Sequence, residues 1–180
     1  AEIGWNAVIL AIINFVIAII DFGFGTALIK EKTCTVRMYQ SVLTFILMIS
    51  VVGSGAMISF ADEIARVFSF PPIILVISAF AIPFSVFAIV PNALLQRELR
   101  FTSLAIRDLI GEIAFSATAL LLAIFGYTWL CVPIALVVQR IIRWLVSTLS
   151  IQYVLGFALS WSDLRQLFSF SMFQLGNITI

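Results

Sequence analysis

The chain has 180 residues, of which 63% are hydrophobic and only 11% are charged, against about 25% charged in an average soluble protein. This composition excludes a soluble fold, because helices that are apolar on every face must be enclosed by lipid or by other protein. Ten Lys and Arg residues against nine Asp and Glu residues leave no basic surface typical of nucleic-acid binding. With no histidine and two cysteines, we predict no catalytic residue, no metal and no cofactor.

The hydrophobic segments are long enough to cross a membrane, which takes about 20 residues of helix. Five complete segments of this kind lie at about 4–20, 38–60, 72–95, 102–125 and 129–150. Pro83 and Pro91 lie inside the third segment and predict bends there. The amphipathic stretch 62–68 predicts a short helix on the membrane surface. The predicted fold is therefore an all-α polytopic membrane protein.

The last two complete segments are separated only by residues 126–128. So short a connection predicts a tight turn between two antiparallel helices. A sixth helix is predicted to begin at residues 160–163, Ser-Trp-Ser-Asp, which have the spacing of a helix-capping box. We therefore expect a fragment with about five transmembrane helices and a truncated sixth.

Basic residues near the ends of the segments predict the orientation, because Lys and Arg are retained on the cytoplasmic side. The first, third and fifth connections carry most of them: Lys30, Lys32 and Arg37, then Arg97, Arg100 and Arg107, then Arg165. The second connection has only Arg66, and the fourth has none. These counts place the odd-numbered connections in the cytoplasm and Ala1 on the opposite side. An odd number of further spans, most simply one, is expected before Ala1.

Charged residues at membrane depth are the main candidates for a site, because an arginine at the bilayer centre costs about 2.5–3.5 kcal/mol on insertion scales. Arg140 and Arg143 are three residues apart on one face of the fifth segment. Asp108 and Glu112 share a face of the fourth segment, with Arg107 beside them. Counting residues along both helices from the turn places Glu112 and Arg143 at nearly the same depth, side by side. The predicted ion-pair cluster either holds the two helices together or lines a cavity that binds a phosphate or an acidic sugar.

Asp21, at the end of the first segment, is a further candidate. It follows Asn14 by seven residues, so both lie on nearly the same helical face. One interpretation is a polar stripe along a cavity. The other is that Asp21 is solvated at the cytoplasmic interface or paired with Lys30 or Lys32.

Four stretches of the sequence carry a family resemblance: AEIG at 1–4, DFGFGTALI at 21–29, PNALLQRELRF at 91–101 and WSDLRQLFSF at 161–170. In this order they resemble polysaccharide biosynthesis and transport proteins, the O-antigen and exopolysaccharide flippase branch of the multidrug/oligosaccharidyl-lipid/polysaccharide exporter superfamily. In that family they correspond to the loop before the second helix, the end of that helix, the link between the fourth and fifth helices, and the start of the seventh.

The resemblance implies an all-helical transporter of two six-helix lobes, which moves lipid-linked sugars across the bacterial inner membrane by alternating access. Residues 1–155 then form the amino-terminal lobe without its first helix. Residues 156–180 form the linker and the start of the second lobe. The implied partners are the lipid bilayer, a lipid-linked glycan and the missing second lobe, with no nucleic acid.

The resemblance also implies a cationic cavity between the lobes for the anionic headgroup of the lipid carrier. The candidates for substrate binding are Arg107, Arg140 and Arg143. Those for ion pairing or ion coupling in the cavity are Asp21, Asp108 and Glu112.

Two other functions are compatible with a chain of this kind. An ion-coupled multidrug exporter of the same superfamily should present unpaired carboxylates in its cavity. Among the candidate cavity residues of this chain, however, arginines match or outnumber the acids. A membrane-embedded enzyme of polysaccharide assembly needs a sizeable extramembrane loop, and the longest connection between complete segments, at 21–37, has only 17 residues. We therefore expect a transporter and not an enzyme.

Overall fold

The computed structural model describes residues 2–21, 23–30 and 35–151, together with Gly156 and Ser160. This part of the chain is helical and contains no strand. Its helices, in chain order, are α1 (Glu2–Asp21), α2 (Phe24–Lys30), α3 (Val36–Ser59), α4 (Ala61–Phe68), α5 (Pro72–Ala79), α6 (Ala81–Phe87), α7 (Ile89–Arg97), α8 (Phe101–Ile124) and α9 (Cys131–Ser150). The helix bounds agree with the predicted segments to within a few residues.

Within the described residues, four stretches are long and apolar enough to cross a membrane: Gly4–Asp21, Val36–Ser59, Pro72–Arg97 and Thr128–Ser150. They correspond to the first, second, third and fifth predicted segments. The fourth segment, α8, has 24 residues, a length of about 36 Å at the rise of an α-helix, but it carries three charged residues. The chain is an all-α polytopic membrane protein.

The third segment is interrupted twice, as its prolines predict. Helical structure breaks at Phe80, between α5 and α6, and at Ala88, between α6 and α7. Each break lies three residues before a proline, Pro83 or Pro91, because proline has no N–H to donate and its ring crowds the carbonyl four residues earlier. The span therefore consists of three short helices in succession.

The short helix α2 is not predicted by the sequence pattern, which assigns no helix between the first and second segments. Gly23 has a φ of +79°, which glycine adopts without strain, and the chain resumes helical structure at Phe24. The Asp21 carboxylate accepts a hydrogen bond from the Gly25 N–H at 3.1 Å. It thereby satisfies one of the free N–H groups at the start of α2.

The predicted hairpin of α8 and α9 is confirmed. Gly126, with a φ of +84°, and a 3-10 turn at Thr128–Leu130 reverse the chain between them. α9 also packs against α5, α6 and α7, whereas α8 packs along α9 and touches α7. The buried residue of α8 is Gly111, so α8 lies at the edge of the described bundle and the core lies between the other helices.

Some predictions concern residues outside the described part of the chain. These are the side chains of Lys30, Lys32 and Arg165, the predicted sixth helix, and all of 156–180 apart from Gly156 and Ser160. The boundary between two lobes after residue 155 therefore stays a prediction.

Candidate functional site

The charged cluster predicted across the hairpin is present between α8 and α9. Arg143 Nη2 lies 2.7 Å from Glu112 Oε1, and Arg143 Nε lies 3.6 Å from Asp108 Oδ1. Gln139 Nε2 donates a hydrogen bond to the same Glu112 oxygen at 3.1 Å. Arg143 therefore bridges two carboxylates that are one helical turn apart on α8.

Gly111 allows Arg143 to lie against the backbone of α8. A Cβ atom built on Gly111 would lie 2.7 Å from both Cγ and Nε of Arg143. Protein interiors do not tolerate so close an approach without movement. Any larger residue at this position would push the Arg143 side chain away from α8.

Arg107 is held by its neighbour on the same helix. Its Nη2 and Nε lie 2.7 Å and 3.1 Å from Asp108 Oδ1. The Arg107 side chain is only 15% exposed, whereas that of Asp108 is 48% exposed. Asp108 is thus shared between Arg107 and Arg143, and two of the three candidate arginines have an acidic partner.

The other face of α9 is directed at α6 and α7. Trp144 contacts Phe84 and Phe87 of α6, with ring centroids 6.0 Å and 5.4 Å apart. One turn further along, Ser147 Oγ donates a hydrogen bond at 2.8 Å to the side-chain oxygen of Asn92 on α7. Arg140 precedes Trp144 by four residues and shares this face.

Arg140 differs from the other two arginines. Among the described residues its guanidinium forms no ion pair and no hydrogen bond. Its Nε is buried without a hydrogen-bond partner, as is Arg143 Nε, but the Arg143 guanidinium is paired through Nη2. Arg140 lines a cavity of about 100 Å³, here called the Arg140 cavity, whose other lining residues are Ser85, Ala88, Asn92, Arg107 and Arg143. That volume equals the share of roughly three water molecules. The cavity thus offers a positively charged space of the size of a small anionic group.

Asp21 does not belong to this cluster. It lines a second cavity of about 220 Å³, here called the Asp21 cavity, between α1, α2 and α7, with Gly25, Thr26, Ile29, Ile89, Asn92, Ala93 and Gln96. Asn14, its predicted neighbour in a polar stripe, is exposed and does not line this cavity. The alternative pairing with Lys30 or Lys32 involves side chains outside the described residues.

The sequence reasoning missed the polar residues of the third segment. Asn92 lines both cavities, Ser85 lines the Arg140 cavity, and Gln96 lines the Asp21 cavity. Ser85 and Asn92 are seven residues apart, which is the spacing of residues on one face of a helix, although the break at Ala88 lies between them. This spacing was a usable signal within an otherwise apolar span.

Two further arginines secure helix ends. Arg97 Nη1 donates to the Tyr39 hydroxyl at 3.0 Å and to the Leu28 carbonyl near the end of α2 at 3.5 Å. Arg100 Nη1 donates to the Ser150 carbonyl, at the end of α9, at 2.7 Å. Such contacts satisfy carbonyl groups that the helix itself leaves free.

These features define a class of protein: a multi-pass α-helical membrane protein with a charged cluster between two of its helices. A family model described as "polysaccharide biosynthesis protein" matches residues 1–180, and the chain belongs to that family. The family resemblance of its motifs is thereby confirmed. A search of curated proteins and a search of solved structures each found no match.

Family membership also fixes the general role. The protein is a membrane protein that acts in the synthesis or export of a polysaccharide.

Proposed function

We propose that the protein flips a lipid-linked oligosaccharide or polysaccharide unit across the bacterial inner membrane by alternating access. Its family membership supports a role in polysaccharide assembly, and its bundle of apolar helices supports a location in the bilayer. In this proposal the described helices belong to one of two lobes, and the substrate binds between them.

The unpaired guanidinium of Arg140 is the observation that carries the proposal. Lipid carriers of sugars hold their glycan through phosphate, and the planar fork of a guanidinium suits two phosphate oxygens at once. A buried cation without a counter-ion is costly, so its presence beside a cavity favours an anionic ligand. Arg107 and Arg143 line the same cavity, but their charges are balanced by Asp108 and Glu112, which leaves the charge of Arg140 unneutralised.

The proposal involves no covalent step and therefore no enzyme activity. Binding and release of the substrate on opposite sides of the membrane need only a change in which side the cavity faces. Arg140 shares its cavity with Ala88, where the helix breaks between α6 and α7. This supports the proposal, because helix breaks are positions at which a span can bend.

A flipping assay with the full-length protein in vesicles tests the proposal. We expect Arg140→Ala to abolish flipping of a fluorescent polyprenyl diphosphate glycan while the protein remains folded and inserted. Arg140→Lys should retain only part of the activity, because lysine keeps the positive charge but lacks the two parallel N–H donors of a guanidinium. Arg66→Ala, on the exposed face of α4, is the matched control and should flip at the rate of the wild type. Normal flipping by Arg140→Ala would refute the proposal.

A further inference from the structure

The two polar cavities meet at one residue, Asn92, which lines both. The Arg140 cavity extends back along the third segment to Ser85, whereas the Asp21 cavity extends forward to Gln96. Their lining positions on that segment differ by about four residues, which is about 6 Å along a helix. The two cavities therefore lie next to each other along the third segment. The Asp21 cavity is the closer of the two to the Arg97 end of that segment.

The hydrogen-bonding groups of the Asp21 cavity suit hydroxyl groups. One Asp21 oxygen accepts from the Gly25 N–H, and the carboxylate forms no ion pair within the described ranges, so it can accept further bonds. The side-chain oxygen of Asn92 is occupied by Ser147, which leaves its NH2 group as a donor. Gln96 is an exposed residue that lines the same cavity, and its side-chain amide offers both a hydrogen-bond donor and an acceptor.

Neighbouring hydroxyls of a sugar need this combination of acceptors and donors. A bound metal cation would need oxygen ligands, and the amide of Asn92 offers the cavity its NH2 group instead. The volume of about 220 Å³ equals roughly seven water molecules. The volume of this cavity is therefore similar to that of one sugar ring.

We propose that the Asp21 cavity binds the first sugar of the lipid-linked substrate while the adjoining phosphate occupies the Arg140 cavity, with Asn92 between them. This inference rests on the proposed function and specifies how the substrate lies. The basic residues predict that the Arg97 end of the third segment is cytoplasmic. The phosphate then lies deeper in the membrane and the sugar nearer the cytoplasm, in the order in which a lipid of the cytoplasmic leaflet presents them.

Binding measurements on the full-length protein in nanodiscs test this arrangement. The probes are polyprenyl diphosphate without sugar and the same lipid carrying one glucose, galactose or N-acetylglucosamine. We expect the wild type to bind at least one sugar-bearing lipid about fivefold to tenfold more tightly than the bare lipid, the effect of one or two net hydrogen bonds. Asp21→Asn and Gln96→Ala should each remove most of this advantage without changing the affinity for the bare lipid.

The variants are chosen to leave the fold intact. Asparagine at position 21 keeps an oxygen that accepts the Gly25 N–H, and Gln96 is exposed. Glu98→Gln, which makes the same charge change as Asp21→Asn and lines neither cavity, is the matched control and should keep the full preference for the sugar-bearing lipid.

Three results would overturn the inference. The first is that the wild type prefers no sugar-bearing lipid over the bare lipid. The second is that Asp21→Asn weakens the binding of bare and sugar-bearing lipids equally. The third is that Na⁺ strengthens lipid binding in the wild type but not in Asp21→Asn, which would indicate a cation site. Failure of the proposed function is recognised separately, because the bare lipid would then bind with the same affinity to the wild type and to Arg140→Ala.

Discussion

Arg140 and Arg143 lie three residues apart on α9 and line the same cavity, yet only Arg143 has a carboxylate partner among the described residues. Arg143 lies against Gly111 of α8, and its guanidinium contacts Glu112. Arg140 faces α6 and α7, where Asn92 lines its cavity and the described residues provide no carboxylate partner. In the proposed function, Arg143 is structural because the neighbouring helix supplies its counter-ion, and Arg140 remains available for a ligand.

A small rotation separates the two environments. Three residues turn an α-helix by about 300°, so the two side chains diverge by only about 60°. The face that carries Arg140 continues with Trp144 and Ser147, which contact α6 and α7. The face that carries Arg143 and Gln139 meets α8. The different environments of the two arginines thus follow from which helix each one faces.

The largest expected effect on stability comes from the paired arginine. Arg143→Ala leaves Glu112 without its cation, while Asp108 keeps Arg107. Because Arg143 is largely buried but Glu112 is 59% exposed, we expect a loss of about 2 kcal/mol in the free energy of unfolding. Denaturant unfolding of the full-length protein in detergent measures it, with Arg66→Ala as the control. Adding Glu112→Gln should recover part of the loss. A variant as stable as the wild type would show that the ion pair contributes nothing.

Gly111 gives a smaller effect on the same side of the comparison. Gly111→Ala forces Arg143 off α8, which costs about 1–3 kcal/mol, while alanine favours the helix by up to about 1 kcal/mol. We expect a net loss of about 1 kcal/mol in the same assay. The control is Gly55→Ala in α3, where a Cβ atom meets nothing within 4 Å, and it should gain stability. Equal gains at both positions would contradict the observed contact.

The smallest expected effect on stability comes from the unpaired arginine. Arg140→Ala breaks no ion pair and removes a buried Nε without a hydrogen-bond partner. We therefore expect the free energy of unfolding without lipid to stay within about 1 kcal/mol of the wild type, or to rise, since an unsatisfied buried group is costly. A loss as large as that of Arg143→Ala would mean that Arg140 also has a structural role.

Much of the hairpin follows from the sequence by simple geometry. The length of the segments fixes their depth in the membrane, and counting residues back from the turn places Glu112 beside Arg143. This works because helices have a constant rise and the turn at 126–128 leaves little freedom. The ion pairs of Arg143 could therefore be predicted before the structure.

The separate role of Arg140 could not be predicted in this way. It depends on the positions of α6 and α7, which the breaks before Pro83 and Pro91 determine, and sequence reasoning gives a bend without its direction. The polar residues Ser85 and Asn92 were overlooked because they lie in a strongly apolar span. The helix α2 was overlooked because seven residues are too few to show a reliable helical period.

Binding of polyprenyl diphosphate without sugar tests the central contrast most directly. The full-length wild type is compared with Arg140→Ala and with the double variant Arg143→Ala, Glu112→Gln, which removes a cation together with its counter-ion. We expect Arg140→Ala to weaken binding by about tenfold to a hundredfold, the effect of losing charged hydrogen bonds to a phosphate, and the double variant to stay within about threefold of the wild type. Undiminished binding by Arg140→Ala, or an equal loss in the double variant, would contradict the assignment of Arg140 to the ligand and of Arg143 to the fold.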